Sequence, residues 1–219
     1  MELKEINDII SKTICWDSVA KLEDSYLLNE YMQCESVKKE INKLKFILNK
    51  YVNDETQNNI INEYVKELIP PGTKGVIRGN KFNSIVKNFI ESLNLKNMEI
   101  RFESQPPGVD TDERPDWYIR SGDKLLIGMN QLSLWDGGAQ SNRGTKYMKF
   151  NAPGTKLLCV VCNFTQIKSK KSKIYSLFDE GFRQNKLCYL NGLKNIIEEY
   201  FNIPGVNFIS SGISGLTLN

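Results

Sequence analysis

The stretch Arg114–Gln131, RPDWYIRSGDKLLIGMNQ, decides how the chain is expected to fold. A short run from Asp116 to Arg120 is followed by Ser121-Gly122-Asp123 and then by a longer apolar run from Lys124 to Gln131. Two such runs joined by a turn that contains glycine are typical of a β-hairpin. We therefore predict two neighbouring antiparallel strands at this point of the chain.

The second strand of this hairpin ends in two consecutive amides, Asn130 and Gln131. Burying an amide without a hydrogen-bond partner costs about 1–3 kcal/mol. An apolar strand that keeps two of them should direct at least one toward a polar group. This pair is therefore a candidate part of a functional site.

The segments around the hairpin extend the pattern into an α/β fold. From residue 78 the periodicities predict the order α-β-β-β-α-β-α-β-α, which implies a mixed sheet with helices on both faces. The predicted helices are 78–95, 140–150, 174–182 and 192–201, and the further strands are 98–104, 156–163 and 187–190.

The N-terminal part of the chain, residues 1–69, has apolar residues at helical spacing and stops at Pro70-Pro71-Gly72. We predict a helical arm or subdomain over 1–69 and an α/β core over 70–219. The arm has two possible kinds of role: covering the core, or mediating dimerisation or DNA contact.

Composition restricts the possible chemistry. The chain has 219 residues, a net charge of +3, 25% charged residues and no histidine. Without histidine, Ser-His-Asp and Cys-His catalysis are excluded, so phosphodiester chemistry would need carboxylates, amides, lysines and a bound metal ion. No run approaches the ~20 apolar residues of a membrane span, and the N-terminus has no signal-peptide core. With five cysteines, an odd number, we expect reduced thiols, a cytoplasmic protein and no zinc site.

Pro115-Asp116 at the start of the second strand, in this order of elements, resembles the PD-(D/E)XK nuclease superfamily over about residues 78–190. RGNKFNSIVKNFI resembles the first core helix of many restriction endonucleases, with Asn83 where many have glutamate. GMNQLSLWDGGAQSNRGTKYMKF resembles type II restriction enzymes. The resemblance implies a restriction-endonuclease-like fold and Mg²⁺-dependent hydrolysis of double-stranded DNA. It also implies a homodimer that acts on a palindrome, and a companion DNA methyltransferase.

The superfamily motif places an acid and a lysine two positions apart, on one face of a strand. Here one register gives Gly128 and Asn130, and the other gives Met129 and Gln131. Neither register supplies a carboxylate or a lysine. The resemblance therefore implies a variant site, in which Asp116 binds Mg²⁺ and Asn130 or Gln131 orients water.

A second carboxylate must then come from another element, because one aspartate would hold Mg²⁺ poorly. Glu103, at the end of the neighbouring strand, is the first choice, so the predicted metal pair is Asp116 and Glu103. Glu91 and Asp136 are alternatives. A lysine could come from Lys146 on the following helix, whereas Lys124 lies at the wrong end of its strand.

Two polar segments are candidates for DNA contact, and each is equally compatible with an ordinary charged surface. Asn and Gln can pair with adenine and Arg with guanine in the major groove, and lysines can bind phosphates. The candidates are Gln140, Asn142, Arg143, Lys146 and Lys149 in the first segment and Lys168, Lys170, Lys171 and Lys173 in the second.

Two further hypotheses stay open from the residues. A catalytically silent DNA-binding protein on the same fold would explain the missing acid and lysine directly. A protein-interaction module would use Trp135 and the N-terminal helices as its contact surface.

Overall fold

A computed structural model of the chain describes residues 24–68, 71–135, 138–166 and 173–203. The described residues fall into two compact units, which separate between Lys81 and Phe82. No described helix is both long enough and apolar enough to cross a membrane.

The first unit contains three helices with a small shared core. They are α1 (Asp24–Met32), α2 (Glu35–Leu48) and α3 (Asp54–Leu68). Ile41 of α2 packs with Ile61 and Val65 of α3, as the helical spacing predicts. The buried side chain of Gln57 donates to the carbonyl of Lys45 at 3.1 Å, a second hydrogen bond for a carbonyl that also accepts from the Asn49 N–H at 2.9 Å.

Helix α4 (Pro71–Ser92) begins earlier than the sequence predicts. Pro71 was expected to act only as a stop, with the next helix starting at Arg78. Proline suits the first turn of a helix because its φ is preset and the N–H that it lacks would have no helical acceptor there. The predicted domain boundary after residue 69 falls between α3 and α4, while the two compact units separate within α4.

The second unit confirms the predicted order of elements. After α4 come three strands, then helices and strands in alternation. They are β1 (Glu99–Phe102), β2 (Trp117–Ser121), β3 (Lys124–Trp135), α5 (Gly138–Lys149), β4 (Thr155–Gln166), α6 (Lys173–Arg183), β5 (Leu187–Tyr189) and α7 (Leu190–Phe201).

The five strands form one mixed sheet in the order β1-β2-β3-β4-β5. β1 and β3 each pair antiparallel with β2, whereas β4 pairs parallel with both β3 and β5. The two parallel pairs follow from the crossover helices α5 and α6, since a parallel neighbour cannot be reached by a tight turn. The α/β class predicted from the sequence is therefore confirmed.

Alternation along β3 separates the two faces of the sheet. Met129 packs with Tyr147 of α5 and Phe178 of α6, so these helices cover one face. Gly128 and Asn130 have the opposite parity and point to the other face, where Asn130 contacts Asn83 of α4. The candidate site therefore lies on the α4 side of the sheet.

Gly144 is a point of close approach between α5, α6 and β3. A Cβ at this position would lie 2.9 Å from the Phe178 ring and 3.0 Å from Leu134. We predict that Gly144→Ala lowers the free energy of unfolding by roughly 1–3 kcal/mol, the usual cost of overpacking. Urea denaturation measures the change.

Gly192→Ala is the matched control. Its Cβ would meet only Cys188 at an ordinary 3.8 Å, and alanine suits a helix interior better than glycine. Equal stability losses in the two variants would contradict the packing of α5 described here.

Candidate active site

Trp117 occupies the space in which a side chain at position 128 would lie. The two residues are partners across β2 and β3. A Cβ built on Gly128 would be 1.8 Å from Cε2 of the buried Trp117 indole. Position 128 therefore cannot carry any side chain while Trp117 keeps this conformation.

The same indole begins a chain of side-chain hydrogen bonds. Trp117 Nε1 donates to Asn130 Oδ1 at 3.1 Å, and Asn130 Nδ2 donates to Asn83 Oδ1 at 3.1 Å. Asn83 Nδ2 then donates to Asp116 Oδ1 at 3.0 Å. An indole N–H can only donate and an ionised carboxylate can only accept, so the orientation of both amides is determined.

The second oxygen of Asp116 is held by the backbone. Asn130 N–H donates to Asp116 Oδ2 at 2.6 Å. β2 begins at Trp117, which pairs with Gly128. Asn130 therefore lies on the part of β3 that extends beyond the start of β2. The carboxylate thus accepts the hydrogen bond that a backbone carbonyl of a longer β2 would otherwise accept. This hydrogen bond holds it against the sheet.

The structure distinguishes the two registers that the sequence left open. Asn130 is the amide that joins Asp116, through both its side chain and its backbone. Gln131 is buried, and its parity directs it to the face covered by α5 and α6. Of the two predicted water-orienting amides, the geometry brings only Asn130 to the carboxylate.

Glu103 lies next to Asp116, as the meander predicts. Its backbone N–H donates to the backbone carbonyl of Asp116 at 2.8 Å, and its φ of +47° turns the chain just after β1. Its side chain is 69% exposed, and Oε2 lies 3.9 Å from a guanidinium nitrogen of Arg114. The backbone of Glu103 therefore lies beside that of Asp116, and its carboxylate is accessible to solvent.

Opposing influences act on the Asp116 carboxyl. Burial raises its pKa most, and the negative charge of Glu103 raises it further. The hydrogen bonds from Asn130 and Asn83 lower it, as does the positive charge of Arg143, but the net shift is upward. A cation bound between Asp116 and Glu103 would relieve the part of this shift that comes from like charges.

The donor set of this site is compatible with Mg²⁺. A carboxylate offers about four lone-pair positions, and the two hydrogen bonds to Asp116 use only part of them. Mg²⁺ prefers oxygen ligands and usually keeps several waters beside one or two protein carboxylates. Among the described residues no group of three or more acidic, cysteine or histidine side chains could hold a metal, so Asp116 and Glu103 would have to suffice.

Helix α5 presents its exposed cations to the loop that precedes β2. Arg143 Nε lies 3.4 Å from Glu113 Oε2, and Lys146 Nζ lies 4.0 Å from Asp112 Oδ2. Tyr147 Oη donates to the same Glu113 oxygen at 3.2 Å. Exposed ion pairs of this kind contribute about 0–1 kcal/mol, so both cations stay available to an incoming phosphate.

The other predicted contact residues are only partly described. Asn142 and Lys149 are exposed on α5, Gln140 belongs to its first turn, and Lys173 is exposed at the start of α6. Lys168, Lys170 and Lys171 lie outside the described residues, as does Asp136.

The remaining alternatives lie away from the Asp116 network. Glu91 is exposed on α4 and lies 3.9 Å from Lys87. Lys124 donates to the carbonyl of Tyr200, at the opposite end of β3.

Three residues that shape this site had no predicted role. They are Asn83, Trp117 and Glu113. Asn83 was noticed only as a departure from the glutamate of similar helices. The pairing of Trp117 with Gly128 had a weak signal, since glycine inside an apolar strand often marks a close approach. Nothing in the sequence indicated that Glu113 would hold Arg143.

Comparisons of the chain with family models, with curated proteins and with solved structures found no match.

The raised pKa of Asp116 predicts a pH-dependent stability. The folded protein binds this proton more tightly than the unfolded chain, for which 3.8 is the ordinary value. The resulting stabilisation is complete below that value and is lost as the pH rises through the folded-state pKa. Relative to Asp116→Asn, the wild-type protein should lose unfolding free energy as the pH rises from about 4 toward neutrality.

Urea denaturation of both proteins across this range measures the difference. A difference that is independent of pH, or that grows in favour of the wild type, would contradict the described environment of the carboxyl.

The contact between Trp117 and Gly128 predicts strong coupling between the two positions. We expect Gly128→Ala to cost at least the roughly 1–3 kcal/mol of overpacking, because the sheet or the indole must move. In a Trp117→Leu background the added methyl group should cost much less, since the ring that it meets is gone. A double-mutant cycle of unfolding free energies measures this, and additive costs would show that no such contact exists.

Proposed function

We propose that this protein is a site-specific endonuclease that hydrolyses double-stranded DNA with Mg²⁺, in the manner of type II restriction enzymes of the PD-(D/E)XK superfamily. One observation carries the proposal. The Asp116 carboxylate is fixed at the edge of the sheet with a second carboxylate, Glu103, close enough for its charge to raise the pKa of Asp116. The order of elements and Pro115-Asp116 before β2 support it.

Asp116 and Glu103 are the residues that would hold the ion. When bound, Mg²⁺ lowers the pKa of a coordinated water and neutralises charge on the scissile phosphate. The hydrogen bonds to Asp116 keep its carboxylate in one orientation, so little rearrangement would be needed on binding.

Asn130 takes the position of the motif lysine. Its amide nitrogen carries two protons, one of which goes to Asn83, and we assign the second to orienting the attacking water. A neutral amide supplies direction but not positive charge. The site therefore needs a separate source of charge to stabilise the transition state.

DNA contact is assigned to the exposed face of α5, which carries Asn142, Arg143, Lys146 and Lys149. Arg143 and Lys146 pair with carboxylates of the loop before β2 and are both exposed, so DNA phosphates could also reach them. A helix face of this kind fits the major groove and offers amide donors to bases. A homodimer acting on a palindrome and a companion methyltransferase belong to the same proposal.

Plasmid digestion tests the proposed function. The wild-type protein with Mg²⁺ should give discrete fragments, and no cutting should occur in EDTA. Asp116→Ala should abolish cutting, and Glu103→Gln should remove most of it, while binding of DNA in EDTA stays largely intact. Both residues are assigned to the ion rather than to DNA.

Glu91→Gln is the control, because it removes the same charge from an exposed glutamate on α4. We expect it to cut like the wild type. The assignment fails if Asp116→Ala cuts normally, or if Glu91 proves essential and Glu103 does not.

A second candidate is a DNA-binding protein without nuclease activity. It is favoured by the Trp117 indole at position 128 and by the hydrogen bonds that both Asp116 oxygens already accept. Binding to a discrete DNA sequence without cleavage in Mg²⁺ or Mn²⁺ would establish this function and exclude the first.

A further inference from the structure

Within the part of the chain that the structure describes, the hydrogen-bonding partners of Asp116 supply no positive charge. Its carboxylate accepts from the amide of Asn83 and from the backbone of Asn130, and the chain behind them ends at the Trp117 indole. These groups are neutral donors. Hydrolysis of a phosphodiester builds negative charge on the phosphate, and preorganised positive charge is a large contributor to catalysis.

We infer that Arg143 is a further catalytic residue, whose guanidinium binds the scissile phosphate and takes over the charge of the missing lysine. This role rests on the proposed nuclease function. It differs from base reading, the role that the sequence suggested for Arg143, and it replaces Lys146 as the expected cation of the site.

Glu113 anchors Arg143 beside Asp116. Glu113 accepts from Tyr147 at 3.2 Å and lies 3.4 Å from Arg143 Nε. It precedes Asp116 by three residues, with the buried Pro115 between them. A guanidinium fixed to Glu113 is therefore held next to the start of β2.

The loop acid that pairs with Arg143 is the one nearest to Asp116 in the chain. Glu113 lies 3.4 Å from Arg143 Nε and precedes Asp116 by three residues. Lys146 instead lies one helical turn further along α5, 4.0 Å from Asp112. Of the two cations, Arg143 is thus the one that the loop directs toward Asp116.

The geometry of arginine suits this role. The contact with Glu113 uses Nε, which leaves the two terminal nitrogens to grip two phosphate oxygens in a bidentate manner. The side chain is 54% exposed, so an incoming phosphate can reach it. Its charge is permanent at any working pH, unlike that of a lysine with a shifted pKa.

Single-turnover cleavage at saturating protein tests the inference. We expect Arg143→Gln to slow the cleavage step roughly 100-fold or more, comparable to the loss of one transition-state donor. Arg143→Lys should be intermediate, because it keeps the charge but not the fork. Arg183→Gln is the matched control, because it is the same substitution at an exposed arginine of α6 that pairs with Asp179 at 2.8 Å, and it should cut at nearly the wild-type rate.

Two further readouts separate catalysis from folding and from general DNA affinity. Added methylguanidinium should partly restore cutting to Arg143→Ala but not to Asp116→Ala, at matched ionic strength. In EDTA, replacing the scissile phosphate by a neutral methylphosphonate should weaken binding by the wild type and by Arg183→Gln, but should weaken it less for Arg143→Gln.

The outcomes distinguish this inference from the proposed function. If the wild type cuts and Arg143→Gln cuts equally fast at saturation, the inference is wrong and the nuclease assignment stands. The inference is also wrong, in favour of base reading, if Arg143→Gln binds DNA more weakly but cuts at the wild-type rate once saturated, and if the methylphosphonate weakens binding by the wild type and by Arg143→Gln equally. If the wild type cuts no DNA, the nuclease function fails, and the role of Arg143 fails with it.

Discussion

The close packing of the Trp117 indole against Gly128 is the constraint on which the candidate site depends. The ring fills the volume that a side chain at position 128 would need, so β3 cannot carry an acid there. The same ring fixes the Asn130 amide through its N–H, and the two asparagines pass that orientation to Asp116. One steric contact thus accounts for both the absence of a side chain at position 128 and the orientation of the Asp116 carboxylate.

The groups that orient the Asp116 carboxylate differ from the groups that supply charge around it. Neutral amides hold the Asp116 carboxylate in place, while the charges around it come from elements other than β3. Glu103 follows β1, and Arg143 lies on α5, held by the loop before β2. Charged groups that are absent from β3 can therefore come from neighbouring elements, provided that those elements end close to Asp116.

Much of the fold follows from local patterns in the sequence. Alternation and glycine turns predict the hairpin of β2 and β3, and the apolar run LLCVVCNF predicts a strand buried on both faces. The early start of α4 was missed because Pro71 was interpreted only as a stop. Proline can either end a helix or occupy the first turn of the next one. Which of the two occurs depends on how the residues after it pack.

The site was less predictable because its contacts are distant in sequence. Asn83 and Asp116 are separated by 33 positions, and no periodicity relates a helix residue to a strand that is formed later. The two registers of β3 were equally consistent with the sequence, and the pairing of Trp117 with Gly128 distinguishes them. Glu103 could be anticipated because a meander places the end of β1 beside the start of β2.

The central claim is that Asp116 and Glu103 share a divalent ion beside Asn130. A crystal grown with Mn²⁺ in place of Mg²⁺, with its anomalous difference map, tests this most directly. The account predicts a single strong peak within coordination distance of both carboxylates. A peak bound by Asp116 without Glu103, or no peak at Asp116 under saturating Mn²⁺, would contradict it.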